Sequence, residues 1–209
     1  MFARFCMILV ALTVAQPGNA AIEVFACEPE WGALVTELAG DKAKVYVATT
    51  AAQNVHHIQA RPSLIAAVRR ANLVVCTGAD LEAGWLPILI RESGNATIQR
   101  GRPGYFEAAR NVAMMDIPER LDRADGDVHA MGNPHVHTDP RNMSPIAAAL
   151  SKKLAEIDPG NAAVYRDRLE HFANRWRDAL AKWTQKAAPL RGIAVVEHHR
   201  SFSYLFNWA

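Results

Sequence analysis

The feature that most confines this chain is an apolar stripe near its C-terminal end. Tyr165, Leu169, Phe172, Trp176, Leu180 and Trp183 follow one another at intervals of three or four residues, the period of one helix face. Upstream, Asp158-Pro159 makes a helix start, a capping carboxylate followed by a proline whose missing N–H costs nothing. Pro189 and Gly192 mark its end. The spacing predicts one helix to about Ala187, roughly 40 Å long at 1.5 Å per residue and so able to run along two lobes.

Short apolar runs alternate with helical stretches before it. Ile22–Ala26, Lys44–Ala48, Leu73–Thr77 and Val112–Met115 read as strands, and Ile193–Val196 as a later one. Trp31–Ala39, Pro62–Arg70, Leu81–Arg91 and Pro140 to about Ile157 read as helices. That rhythm predicts an α/β fold built from parallel βαβ units, with ligands at the carboxyl ends of the strands. The expected organisation is an N-terminal lobe over 21–139, a helical connector over 140–189, and over 190–209 the start of a second α/β lobe. So short a last segment implies either a chain truncated at its C-terminus or a segment packed back on the first lobe.

Residues 1–20 are different material. Arg4, the apolar run Phe5–Val14 and the small residues Gly18-Asn19-Ala20-Ala21 make a secretory signal peptide, too short for a membrane span. Export would leave Cys27 and Cys76, which either pair or pack as isolated thiols, with the compartment tilting towards a disulfide. A formal charge of +2 and interspersed charges give no reason to expect nucleic acid.

Three histidine pairs fall where the strands give way to loops: His56-His57, His135-Val136-His137 and His198-His199. Loops at strand ends can converge on one cleft, which points to a shared metal site. Asp139-Pro140 opens a helix directly after the second pair, so that pair sits on a short rigid turn. Three neutral imidazoles favour zinc over copper or nickel, whereas magnesium, calcium and manganese prefer oxygen. In an extended segment His135 and His137 would point the same way, making His137 an auxiliary candidate. His57, His198 and His129, the last in the acidic stretch Asp116–Met131, are the others.

These stretches resemble the zinc-binding solute receptors of bacterial metal ABC importers, a TroA-like family with a helical backbone. Gln53-Asn54-Val55-His56-His57-Ile58-Gln59-Ala60-Arg61-Pro62-Ser63 is similar to the family's Asp-Pro-His stretch. Asn133-Pro134-His135-Val136-His137-Thr138-Asp139-Pro140-Arg141-Asn142 is similar to its Pro-His-x-Trp-x-Asp-Pro-Arg-Asn stretch. His199-Arg200-Ser201-Phe202-Ser203-Tyr204 is similar to its His-x-x-Phe-x-Tyr. Leu73–Leu86 fits its strand-glycine-Leu-Glu-Trp-Leu segment. The resemblance implies His56, His135 and His199 as ligands, with His57 and His198 on neighbouring places. It also implies a periplasmic, monomeric receptor that hands zinc(II) to a membrane permease and is not an enzyme. Asn54-Val55 replace Asp-Pro, His137 replaces an aromatic residue, and the acidic fourth ligand of a second lobe is not encoded. The rival from another class is a zinc-dependent hydrolase with a three-histidine site, for which Glu197 would be the nearest base in sequence.

Overall fold

A computed structural model of the protein describes residues 20–122 and 129–209. The predicted signal peptide lies outside these residues but for its last one, Ala20, as does part of the acidic stretch before His129.

Four strands form one sheet: β1 (Ile22–Ala26), β2 (Ala43–Val47), β3 (Leu73–Cys76) and β4 (Tyr105–Glu107). Their order is β2-β1-β3-β4 and every pair is parallel. Strands buried on both faces read as continuous apolar runs, and β3 is buried at all four positions. Alternation along each strand divides the core in two. Ile22, Val24, Ala26, Leu73 and Val75 point to one face, Phe25, Cys27, Val74 and Cys76 to the other.

The first face is covered by helices α1 (Pro29–Ala39), α4 (Met143–Ile157) and α5 (Ala162–Ala187). The second is covered by α2 (Pro62–Arg70) and α3 (Leu86–Ser93). Proline in the first turn starts α1, α2 and α3, where a missing N–H is harmless. α3 stops at Gly94, which takes the left-handed conformation that ends many helices. Helix α5 has 26 residues, about 39 Å at 1.5 Å each. Its stripe buries Tyr165 and Phe172 and packs Leu169 and Trp176 against the core. The Trp176 indole N–H donates to the Pro140 carbonyl at 2.8 Å, fastening the rod to the segment just after His135. No helix among the described residues is long and apolar enough to cross a membrane.

Cys27 and Cys76 form a disulfide between the ends of β1 and β3. These neighbouring strands send their connections to opposite sides, the point of an open α/β sheet where ligands gather.

The structure corrects several sequence readings. The fourth strand is Tyr105–Glu107, not Val112–Met115. Val112, Met114 and Met115 are apolar because they pack on the first core. The Met115 main chain is taken up elsewhere, its N–H by the Tyr204 hydroxyl and its carbonyl by the Asn133 N–H. Gly104 lets β4 begin, since a Cβ there would sit 2.6 Å from the Asn72 carbonyl. Ile193–Val196 forms no strand, and Val196 is 98% exposed. The helix predicted from Leu81 begins at Leu86, because the preceding residues fold into turns that bring Glu82 back under the end of β3. Pro140–Asn142 is a 3-10 turn, so the helix expected from Pro140 begins at Met143. After α5 come a 3-10 turn and the short helix α6 (Ser203–Trp208).

Candidate metal centre

Each of three turns holds one imidazole in place by local hydrogen bonds. His56 lies in a 3-10 turn after β2, capped by the Asn54 side chain, which accepts the His56 N–H at 3.0 Å. The Trp85 indole N–H donates to the Val55 carbonyl at 2.9 Å and pins that turn to the start of α3. Gly84 leaves room for it, because a Cβ there would be 3.2 Å from the His56 carbonyl.

His135 has its N–H accepted by Asn133 Oδ1 at 2.9 Å and its carbonyl bonded by the Thr138 hydroxyl at 2.8 Å. Asp139 caps the next turn by accepting the Arg141 N–H at 2.8 Å, the role its position predicts. His199 is held through its neighbours. Asn133 Nδ2 donates to the Arg200 carbonyl at 2.7 Å, and the buried Tyr204 hydroxyl donates to the Asn133 carbonyl at 2.9 Å.

The three rings meet. His135 and His199 place their Nε2 atoms 3.2 Å apart. Ring centroids are 5.7 Å apart for His56–His135, 5.4 Å for His56–His199 and 5.3 Å for His135–His199. One nitrogen from each lies within 4.8 Å of the others. Ligands of a tetrahedral zinc at 2.0–2.1 Å stand about 3.4 Å apart, so small side-chain adjustments suffice. His135 is 8% exposed. Burial first, then the neighbouring imidazoles, pushes its pKa down to about 3, leaving the ring neutral as a ligand must be.

The auxiliary candidates are placed differently. His57 and His198 are exposed, and neither joins the three-ring set. His129 stacks on His56 with centroids 5.1 Å apart. The extended geometry expected for His135 and His137 is replaced by a 3-10 turn from Val136. That turn sends His137 towards Glu30, 3.3 Å from Nδ1, and edge-on to Trp31.

Where β1 and β3 end lies a buried acid pair, of which the sequence reading had singled out only Glu82, as the acid of the Leu-Glu-Trp-Leu resemblance. Glu28 and Glu82 are each 3% exposed. Both accept the Thr77 N–H, at 3.3 and 2.8 Å, and Glu82 also takes the Gly78 N–H at 3.1 Å. The backbone manages this through three successive left-handed residues, Gly78, Ala79 and Asp80, two of them costly for side chains with a Cβ. Burial, then the Glu82 charge, holds Glu28 well above the usual carboxylate range, and burial pushes Glu82 up to about 7. For Glu28 the only sequence signal was a lone acid between an apolar strand and a proline.

Two predictions arise here. Trp85→Phe keeps most of the packing but frees the Val55 carbonyl, and it should weaken zinc binding about 10-fold, the scale for loss of an outer-shell partner. Zinc titration beside a thermal melt checks it. The second concerns pH. Raised acid pKa values stabilise the native state fully below about 4.5, and that stability is lost as pH rises through about 7 and beyond. The depressed His135 has the opposite sign, losing stability as pH falls from 6.5 towards 3. Above pH 6.5 the acids alone operate. Wild type should therefore lose on the order of 1 kcal/mol or more between pH 6.5 and 9, and Glu28→Gln, whose amide N–H donates at every pH without titrating, should lose less. Denaturant titrations at the two pH values decide it.

The family model described as "ZnuA: Zinc-uptake complex component A periplasmic" matches residues 24–209. The high-affinity zinc uptake protein ZnuA of Paracoccus denitrificans is 23% identical over 92% of this chain and 65% of its own length. The iron-binding protein YfeA of Yersinia pestis is 24% identical over 82% and 51%. A crystal structure of a zinc-bound ZnuA deletion mutant superposes with a TM-score of 0.76 at 22% identity, over 90% of this chain and 66% of that one. The chain thus spans about half to two thirds of the length of these curated relatives. A family match that runs from the first strand to the last residue, on the parallel sheet and rod described above, places this chain in the ZnuA family of metal ABC transporter substrate-binding proteins.

Proposed function

We propose that the chain binds zinc(II) as cargo through His56, His135 and His199 and presents it to the permease of an ABC importer from the periplasm. The convergence of three imidazole nitrogens within 4.8 Å carries this reading. Relatives are named for zinc, iron and manganese, so the donors must decide the metal. Three nitrogen donors suit zinc, while manganese favours oxygen. Water or an anion would take the fourth place. In the same reading, residues 21–139 form the first lobe, 140–189 the connector and 190–209 part of a second lobe, and the receptor acts as a monomer.

Hydrolysis is the weaker reading. The family is one of receptors, and the Glu197 carboxylate accepts the Phe202 N–H at 3.1 Å at the head of α6. Calorimetric titration at pH 7.5 should give one zinc per chain, bound at least about 100-fold tighter than manganese. Affinity should fall at pH 5, because imidazole ligates only when neutral. Equal affinity for the two metals, or for zinc at the two pH values, would sink the proposal.

A further inference from the structure

A second cluster of metal-binding atoms sits at the junction of β1 and β3, separate from the three rings. One sulfur each from Cys27 and Cys76 and one carboxylate oxygen of Glu82 lie within 4.8 Å of one another. All three residues are buried, both cysteines at 0% exposure. Apolar side chains, Phe25, Leu64, Val74 and Trp85 among them, belong to the same core as the sulfurs. Glu82 is aimed by the Thr77 and Gly78 amides. Glu28, which shares the Thr77 amide with it, keeps its Oε1 without a hydrogen-bond donor.

We propose that Cys27, Cys76 and Glu82 form a second, redox-gated site for a soft divalent cation, closed by the disulfide and opened by its two-electron reduction. A dithiol reductant breaks the S–S bond by thiol–disulfide exchange. Its own sulfurs become a disulfide, and the protein gains two thiols. The cation then binds both sulfurs as thiolates, and the two thiol protons pass to solvent. Two sulfurs and an oxygen suit zinc or cadmium and not magnesium or calcium. Zn–S bonds of about 2.3 Å set sulfurs just under 4 Å apart, a separation that side-chain rotation reaches once the bond is open.

The test uses the full chain carrying Cys6→Ser, so that only these two sulfurs report, and cadmium as the probe. A water-soluble phosphine is the reductant, taking its oxygen from water to become the phosphine oxide and leaving two protein thiols, without competing for metal. After two thiols are counted, one equivalent of cadmium bound at this site should produce the ultraviolet thiolate-to-cadmium charge-transfer band and block both thiols from alkylation. The oxidised protein should give no band, whatever its histidines bind. Cys76→Ser should lose most of the band, and Glu82→Gln should weaken cadmium binding about 10-fold or more. The proposal is overturned if reduced protein with native circular dichroism shows no band. It is equally overturned if Cys76→Ser keeps the full band, or if reduction unfolds the chain with cadmium present.

Discussion

Replacing His135 by alanine should weaken zinc binding by more than about 100-fold, since loss of an outer-shell partner alone costs 10–100-fold. His135 is the most buried of the three converging histidines, and its Nε2 is 3.2 Å from that of His199. Two imidazoles would remain, too few to hold the ion against water. The fold should survive. Asn133 and Thr138 grip the main chain of residue 135, not its ring, and the lost side chain is one whose protonation burial already opposes. Zinc at 100 times its dissociation constant stabilises a native state by about 2.7 kcal/mol, so the variant should melt like metal-free wild type and gain nothing from added zinc. His57→Ala and His198→Ala, at exposed rings, should keep the zinc-dependent shift. Melts with and without zinc, beside calorimetric titrations, give both readouts. A His135→Ala protein that binds zinc normally would remove the site from this part of the molecule.

The second large effect belongs to the Cys27–Cys76 bond. It closes a loop with a sequence separation of 49, for which the chain-entropy account gives about 4 kcal/mol. Cys27→Ala/Cys76→Ala should therefore unfold at lower denaturant and melt roughly 10 °C lower. The Cys27 amide still donates to the Val75 carbonyl at 2.9 Å, so β1 and β3 remain paired and the native state should persist. Melts of oxidised wild type, reduced wild type and the variant, all with chelator, test the source of the effect. Reduced and variant proteins should coincide. If all three coincide, the bond contributes nothing measurable.

What the sequence disclosed follows from how local each cause is. β1 and β3 were legible because strands buried on both faces are runs of apolar residues. Two helix starts were legible because Pro62 stands in the first turn of α2 and Pro159 heads the 3-10 turn that leads into α5, whereas α1 was legible from its spacing. Convergence of residues 56, 135 and 199 was predicted from loops at strand ends together with a family resemblance. β4 was hidden, since three residues after Gly-Arg-Pro-Gly carry less apolar signal than Val112–Met115, which packs on the core without joining the sheet. The burial and pairing of Glu28 and Glu82 were hidden for another reason. An acid reads as solvated unless the fold brings a partner to it, and theirs are the Thr77 amide and each other across the sheet's switch point. The Tyr204 bonds to Met115 and Asn133 likewise span 89 and 71 residues, beyond any local pattern.

Those Tyr204 contacts bear on how an ion could leave. The chain around His199 joins the rest of the site through a phenol, an amide and the Tyr204 ring buried in the first core, with no ladder of paired strands among the described residues. The three hydrogen bonds contribute about 0.5–1.5 kcal/mol each, and burial of the Tyr204 ring adds to them. If the proposed site releases its ion by moving one ligand, the segment that carries His199 is the one that could move without unpairing a strand of the sheet.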